Sequence, residues 1–151
     1  NPQTSVAQIF AIYQKAAPNI DFCAKQINSF IDDIQNKYDI DDKHTYIVGF
    51  SQGAMLAVYT AISRKSTIGG AFSLSGLVAG RNFLAKQINS FPPIYLFHGR
   101  DDLKVQYKTL QPTVQWLKRR GLMVKTFTYP KLTHHIIESE IEKLADIINR
   151  S

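Results

Sequence analysis

The run Ile47-Val48-Gly49-Phe50-Ser51-Gln52-Gly53-Ala54-Met55 constrains this chain more than any other stretch. Apolar and aromatic residues lead into a serine, glycines stand two positions before and after it, and an apolar, helix-compatible segment follows. A strand that turns abruptly into a helix, with serine at the tip, is the pattern of a nucleophile elbow. The serine backbone in such a turn is strained, and a side chain at position 49 or 53 is expected to collide with it. The bare pattern arises by chance in roughly 5% of chains of this length, so the context decides. Residues 44–50 are rich in β-branched and aromatic types, as a buried strand requires. Residues 52–63 carry Ala54, Met55, Leu56, Ala57, Val58, Ala61 and Ile62, an apolar helix with few exposed positions. The alternative is a glycine-flanked turn with a solvent serine, and this context argues against it. Ser51 is therefore expected at the carboxyl end of a strand, poised to attack a carbonyl carbon.

Around the elbow, helix and strand alternate. Residues 22–37 carry a helical stripe of Phe22, Ile27, Phe30, Ile31 and Ile34, with Asp21 or Asn19 as candidate caps. Gly69–Gly76 reads as a second strand of small residues, and residues 81–90 as a polar connection with a short helix. Pro92-Pro93 stops it, and Ile94–Gly99 is a third strand. Residues 105–120 are expected as an amphipathic helix, with a kink or late start at Pro112 and an end at Gly121. A fourth strand over 122–129 and a closing helix over 136–149 complete the pattern. With no internal repeat or linker, 151 residues make one domain, of which 1–20 is a poorly defined lead-in. The fold class is α/β: a mostly parallel sheet with helices on both faces, whose functional groups gather at the carboxyl ends of the strands.

Composition excludes several classes. Apolar content of 44% and charged content of 20% are those of an ordinary globular domain. No apolar run approaches the ~18 residues of a membrane span, and the N-terminal residues lack a signal-peptide pattern. The single cysteine, Cys23, permits no internal disulfide and suits a reducing, cytoplasmic compartment; it reads as a small helix residue. The net charge of +6 is concentrated in Lys118-Arg119-Arg120 and Arg64-Lys65, both at predicted helix ends, where cations complement the helix dipole. They read as solvated helix ends rather than a nucleic-acid surface, with at most peripheral membrane contact.

A serine hydroxyl needs a general base, and that base an orienting carboxylate. In this architecture the chain order is serine, acid, histidine. The third strand runs into His98-Gly99-Arg100-Asp101-Asp102, and the fourth is followed by Tyr129-Pro130-Lys131-Leu132-Thr133-His134-His135. Each loop carries the required side-chain type, in the required order. Asp101 or Asp102, and His134 or His135, remain open on residue type alone. His98 reads as a strand-end residue supporting the acid loop, and His44 as a surface residue at a strand start. Ser73 and Ser75 lack an elbow and read as supporting the site. Leu77 and Val78 read as core or as the border of an acyl pocket.

Gly-Phe-Ser-Gln-Gly-Ala at 49–54, Ser-Leu-Ser-Gly at 73–76, His-Gly-Arg-Asp-Asp-Leu-Lys-Val at 98–105 and the late Tyr-to-His loop together resemble the phospholipase/carboxylesterase family, which includes the acyl-protein thioesterases and belongs to the α/β-hydrolase superfamily. The resemblance covers roughly residues 23–149. It implies that the acid is Asp102, fifth in H-G-x-x-D-x-x-V with Val105 at its end, and that the base is His134, five positions after Tyr129. It implies hydrolysis of a small-molecule or lipid ester, or an acyl thioester, through an acyl-enzyme, with no metal or organic cofactor.

One departure stands out. The residue after the nucleophile, Gln52, offers one backbone N–H to an oxyanion. The second donor comes from a His-Gly-rich loop after an earlier strand, and no such segment precedes Ser51 here. The chain resembles the carboxyl-terminal two-thirds of the fold and is expected to lack the N-terminal strands. Either a preceding segment supplies the donor, or the chain is a shortened, weakly active or inactive form that acts as a binding or assembly module. The strand at 44–50 would then expose an edge through which a homodimer could form.

Overall fold

The computed structural model describes residues 3–151. Its elements run α1 (Val6–Lys15), α2 (Ala17–Tyr38), β1 (Tyr46–Phe50), α3 (Gln52–Ser63), β2 (Gly70–Leu74), α4 (Arg81–Leu84), β3 (Ile94–Gly99), α5 (Leu110–Lys118), β4 (Val124–Tyr129) and α6 (Glu138–Asn149). The four strands form one parallel sheet in the order β1-β2-β3-β4.

That order decides where the helices lie. Each step from strand to strand goes in the same direction, and right-handed crossovers then put every connecting helix on the same face. Ala61 and Ile62 of α3, Leu84 of α4 and Leu117 of α5 accordingly meet Ala71, Ile94 and Leu96 of the sheet in one buried cluster. The α6 helix follows the last strand and is free to return over the opposite face, where Leu144, Ile147 and Ile148 pack on Phe72, Tyr95 and Phe97. Both faces carry helices, but unequally. The period-two alternation of the strands sorts the side chains to match. Small residues such as Ala71 face α3, and aromatic rings face α6, with Phe72 on Tyr95 and Phe97 on Phe127, both at 4.8 Å between centroids. The α6 face is least covered at β1, where Val48 is 50% exposed.

The N-terminal segment corrects the expectation of a poorly defined lead-in at 1–20; Asn1 and Pro2 lie outside the described residues. Ser5 and Gln8 form a reciprocal capping box that opens α1: the Gln8 N–H donates to Ser5 Oγ, and the Ser5 N–H to Gln8 Oε1. The next helix begins earlier than its apolar stripe predicts, because Pro18 suits a first helical turn. Neither Asn19 nor Asp21 caps it; Asp21 is buried within α2 and accepts the Tyr59 hydroxyl at 3.0 Å. The α5 helix starts late, at Leu110 after a 3-10 turn, so Pro112 falls in its first turn and does not kink it. Arg64 is not a solvated helix end: it is buried and donates to Asp32 and Gln35 at 2.8 Å, tying α3 to α2. No helix among the described residues is long and apolar enough to cross a membrane.

Candidate active site

Ser51 sits between β1 and α3 with φ 57° and ψ −118°, outside the regions an L-residue prefers. Neighbours hold it there. Its N–H donates to Leu74 O at 2.9 Å, extending the β1–β2 ladder by one bond, while its carbonyl accepts the Ala54 and Met55 N–H groups. The two glycines differ. A Cβ at Gly49 would lie 2.0 Å from Gly53 O, so that position admits no side chain. A Cβ at Gly53 meets nothing within 4 Å, contrary to the expectation of a collision. The close approach is made by the Gly53 backbone to position 49, and the turn needs only one of the two glycines for space.

The loop after β3 holds Asp102, which is 1% exposed. Its Oδ1 accepts the N–H groups of Lys104 and Val105 at 2.9 and 3.0 Å. Its Oδ2 is thereby left for His134 Nδ1, at 2.8 Å. His98 stands behind it: Nε2–H donates to Val105 O at 2.8 Å, and burial pushes the imidazole below its ordinary pKa. Asp101 points to solvent and carries none of these bonds.

The loop after β4 brings His134 across the strand ends. Its approach depends on Gly99, where a Cβ would lie 2.2 Å from Leu132 O. The Arg100 N–H to Tyr129 O and Asp101 N–H to Leu132 O bonds fasten the two loops together. A carboxylate only accepts, so His134 Nδ1 carries the proton it shares with Asp102, and in the neutral imidazole Nε2 is the acceptor. The Ser51 hydroxyl donates to that Nε2 at 2.9 Å. The Phe50 ring lies against the imidazole, 4.8 Å between centroids at 39°. His135 faces solvent, with Nδ1 on Thr133 Oγ1 at 3.0 Å.

Ser51, Asp102 and His134 are thus brought into one hydrogen-bonded chain, and Gln52 opens α3 in the turn whose N–H groups have no intrahelical acceptors. The arrangement can draw a proton from the hydroxyl as its oxygen bonds to carbon. Other candidates lie outside it. Ser73 and Ser75 are buried near the end of β2, and His44 is exposed, with Nδ1 on Asp41 at 2.6 Å. Leu77 and Val78 are buried core residues, Leu77 in one cluster with Met55, Tyr13 and Ile20.

A cavity of about 410 Å³ instead opens beside Gln52, lined by Ile12, Tyr13, Ile20, Met55 and Leu56 together with the exposed Cys23. Burial raises the pKa of Tyr13, and the Asp102 charge adds to the effect. Sequence reasoning missed this wall because it treated 1–20 as undefined. The signal that could have found it is the S-x-x-Q capping box at Ser5–Gln8.

A family model described as phospholipase/carboxylesterase matches residues 6–151. Acyl-protein thioesterase 1 homolog 1 of Dictyostelium discoideum is 34% identical over 107 residues, covering 70% of this chain and 47% of the relative. Carboxylesterase SOBER1 of Arabidopsis thaliana is 32% identical over 114 residues, covering 72% and 49%. A crystal structure of Arabidopsis SOBER1 superposes with a TM-score of 0.84 at 26% identity, covering 89% of this chain and 65% of that one. The chain spans about half the length of the curated relatives it matches.

Proposed function

The chain belongs to the phospholipase/carboxylesterase family, and on that footing we propose that it is a serine hydrolase that cleaves carboxylic esters or acyl thioesters. Ser51 is the nucleophile, His134 the general base and Asp102 the carboxylate that orients it. The observation that carries this reading is the unbroken chain from Ser51 Oγ through His134 to Asp102, with links of 2.9 and 2.8 Å.

The chemistry follows from the geometry. As Ser51 Oγ bonds to the carbonyl carbon, its proton passes to His134 Nε2. The imidazolium is stabilised by Asp102, whose charge is fixed in a buried site by two backbone donors. The Gln52 N–H donates to the oxyanion. Collapse breaks the bond to the alcohol or thiol, which leaves with the proton from His134. Water then attacks the acyl-serine by the same route and releases the acid. The cavity beside Gln52 presents Ile12, Ile20, Met55 and Leu56, which suits an uncharged acyl portion.

The test is labelling with a fluorophosphonate probe, alongside hydrolysis of a short-chain nitrophenyl ester. Wild type is expected to react at Ser51, and Ser51→Ala to lose both signals. A folded wild-type chain that does neither overturns the reading.

A second reading rests on a different observation. The sheet ends at β1, whose outer edge pairs with no strand among the described residues, and Val48 beside it is half exposed. In this reading the chain is an assembly module that pairs through that edge. A stable oligomer without esterase activity supports it; a monomer that hydrolyses the ester rules it out.

A further inference from the structure

We propose that Phe50 is a positioning residue that stabilises the protonated form of His134 through the face of its ring. This rests on the reading of His134 as general base. The position is set by the elbow itself. Strand alternation puts Phe50 on the aromatic, α6 side of the sheet, with Tyr46 and Val48. The chain reverses immediately afterwards at Ser51, with φ 57°. The ring is therefore held at the carboxyl edge of β1, beneath the imidazole that bonds the neighbouring hydroxyl, 4.8 Å between centroids and inclined by 39°.

The electrostatics favour one protonation state. An aromatic face carries partial negative charge and attracts a cation within about 6 Å of its centroid. Neutral imidazole gains little from that face, whereas imidazolium gains a cation–π contact. In the reaction the charge on His134 forms as Ser51 gives up its proton, so the contact strengthens as the reaction proceeds, which is the condition for raising kcat rather than lowering KM. Among the described residues, the other charged and titratable groups near His134 come from β3 and two loops. Asp102 and His98 come from β3 and its following loop, and Asp101 and Lys104 from the same loop. His135 lies on its own loop and faces away. Asp102 supports the imidazolium in the ring plane and Phe50 from its face.

The test compares Phe50→Leu, which keeps apolar bulk and removes the π face, with Phe50→Tyr, which keeps the face. The readout is the NMR titration of the His134 ring in the 151-residue chain, assigned by its loss in His134→Gln. Phe50→Leu is expected to move the midpoint of protonation down. It is also expected to lower kcat about 3- to 30-fold with KM little changed. Phe50→Tyr is expected to restore both. A Phe50→Leu protein that titrates as wild type overturns the proposal, as does failure of Tyr to restore the midpoint. Fluorophosphonate labelling reports separately on Ser51, so loss of the hydrolase reading and loss of this one are told apart.

Discussion

The Ser51 hydroxyl stands 2.9 Å from Nε2 of His134, a residue 83 positions further along the chain. Local sequence preference places the serine, but only the order of the sheet and the close seating of two loops can deliver the imidazole.

The strained serine sets function against stability. Ser51→Ala is expected to abolish turnover, with a loss of about 10⁴-fold or more in kcat. Ser51→Gly is expected to be equally inactive yet more stable to urea by about 1 kcal/mol, because glycine relieves a backbone at φ 57°. Equal or lower stability of the glycine variant would show that the turn stores no strain.

Neighbouring residues of the same type separate cleanly by their bonds. Asp102→Asn is expected to lower kcat by about 10³–10⁴, and His134→Gln by a comparable factor. Asp101→Asn and His135→Gln, whose side chains face solvent, are expected to retain most of the activity. Steady-state hydrolysis of one ester by the four variants decides the assignment. Greater damage from His135→Gln than from His134→Gln would reverse it.

The glycines of the elbow should respond unequally to alanine. Gly49→Ala drives a methyl against Gly53 O and is expected to cost about 3 kcal/mol or more. Gly53→Ala meets open space at the start of a helix and is expected to be neutral or stabilising by up to about 1 kcal/mol. Urea unfolding of the two proteins gives the comparison.

His98 gives the fold an acid limit. Burial holds its folded-state pKa below the ordinary imidazole value of 6.5. The stability it contributes is present above that value and is lost as pH falls through the depressed folded pKa. His98→Gln keeps an N–H to donate toward Val105 O and cannot take up a proton. The melting temperature of wild type is therefore expected to fall more steeply below pH 6.5 than that of His98→Gln. Parallel curves would show that His98 titrates alike in the folded and unfolded chain.

Much of this was legible beforehand. The strands at 46–50 and 94–99 declared themselves through apolar and aromatic density, and the elbow through spacing. The loop motifs carried Asp102 and His134 into consideration. The structure adds why Asp102 is the one of the two carboxylates inside the network: the Lys104 and Val105 amides converge on it. What stayed hidden depends on contacts remote in sequence. No local pattern reveals that Gly99 makes room for Leu132 O, that Arg64 is buried against α2, or that α1 walls the cavity. The expected collision at Gly53 failed for the same reason, since only three-dimensional placement shows which partner of a close approach lacks space.

The uneven clothing of the sheet sets the order in which the molecule comes apart. Among the described residues, four helices pack on one face, whereas α6 covers the other and also anchors the far end of the loop that carries His134. Elements with few neighbours open at lower free energy than the core they rest on. Partial fraying at the carboxyl terminus would lift the imidazole away from the hydroxyl while β1 to β4 stay paired. On gentle warming, loss of the site should therefore precede loss of the sheet, and inactivation should be reversible so long as only the last helix has let go.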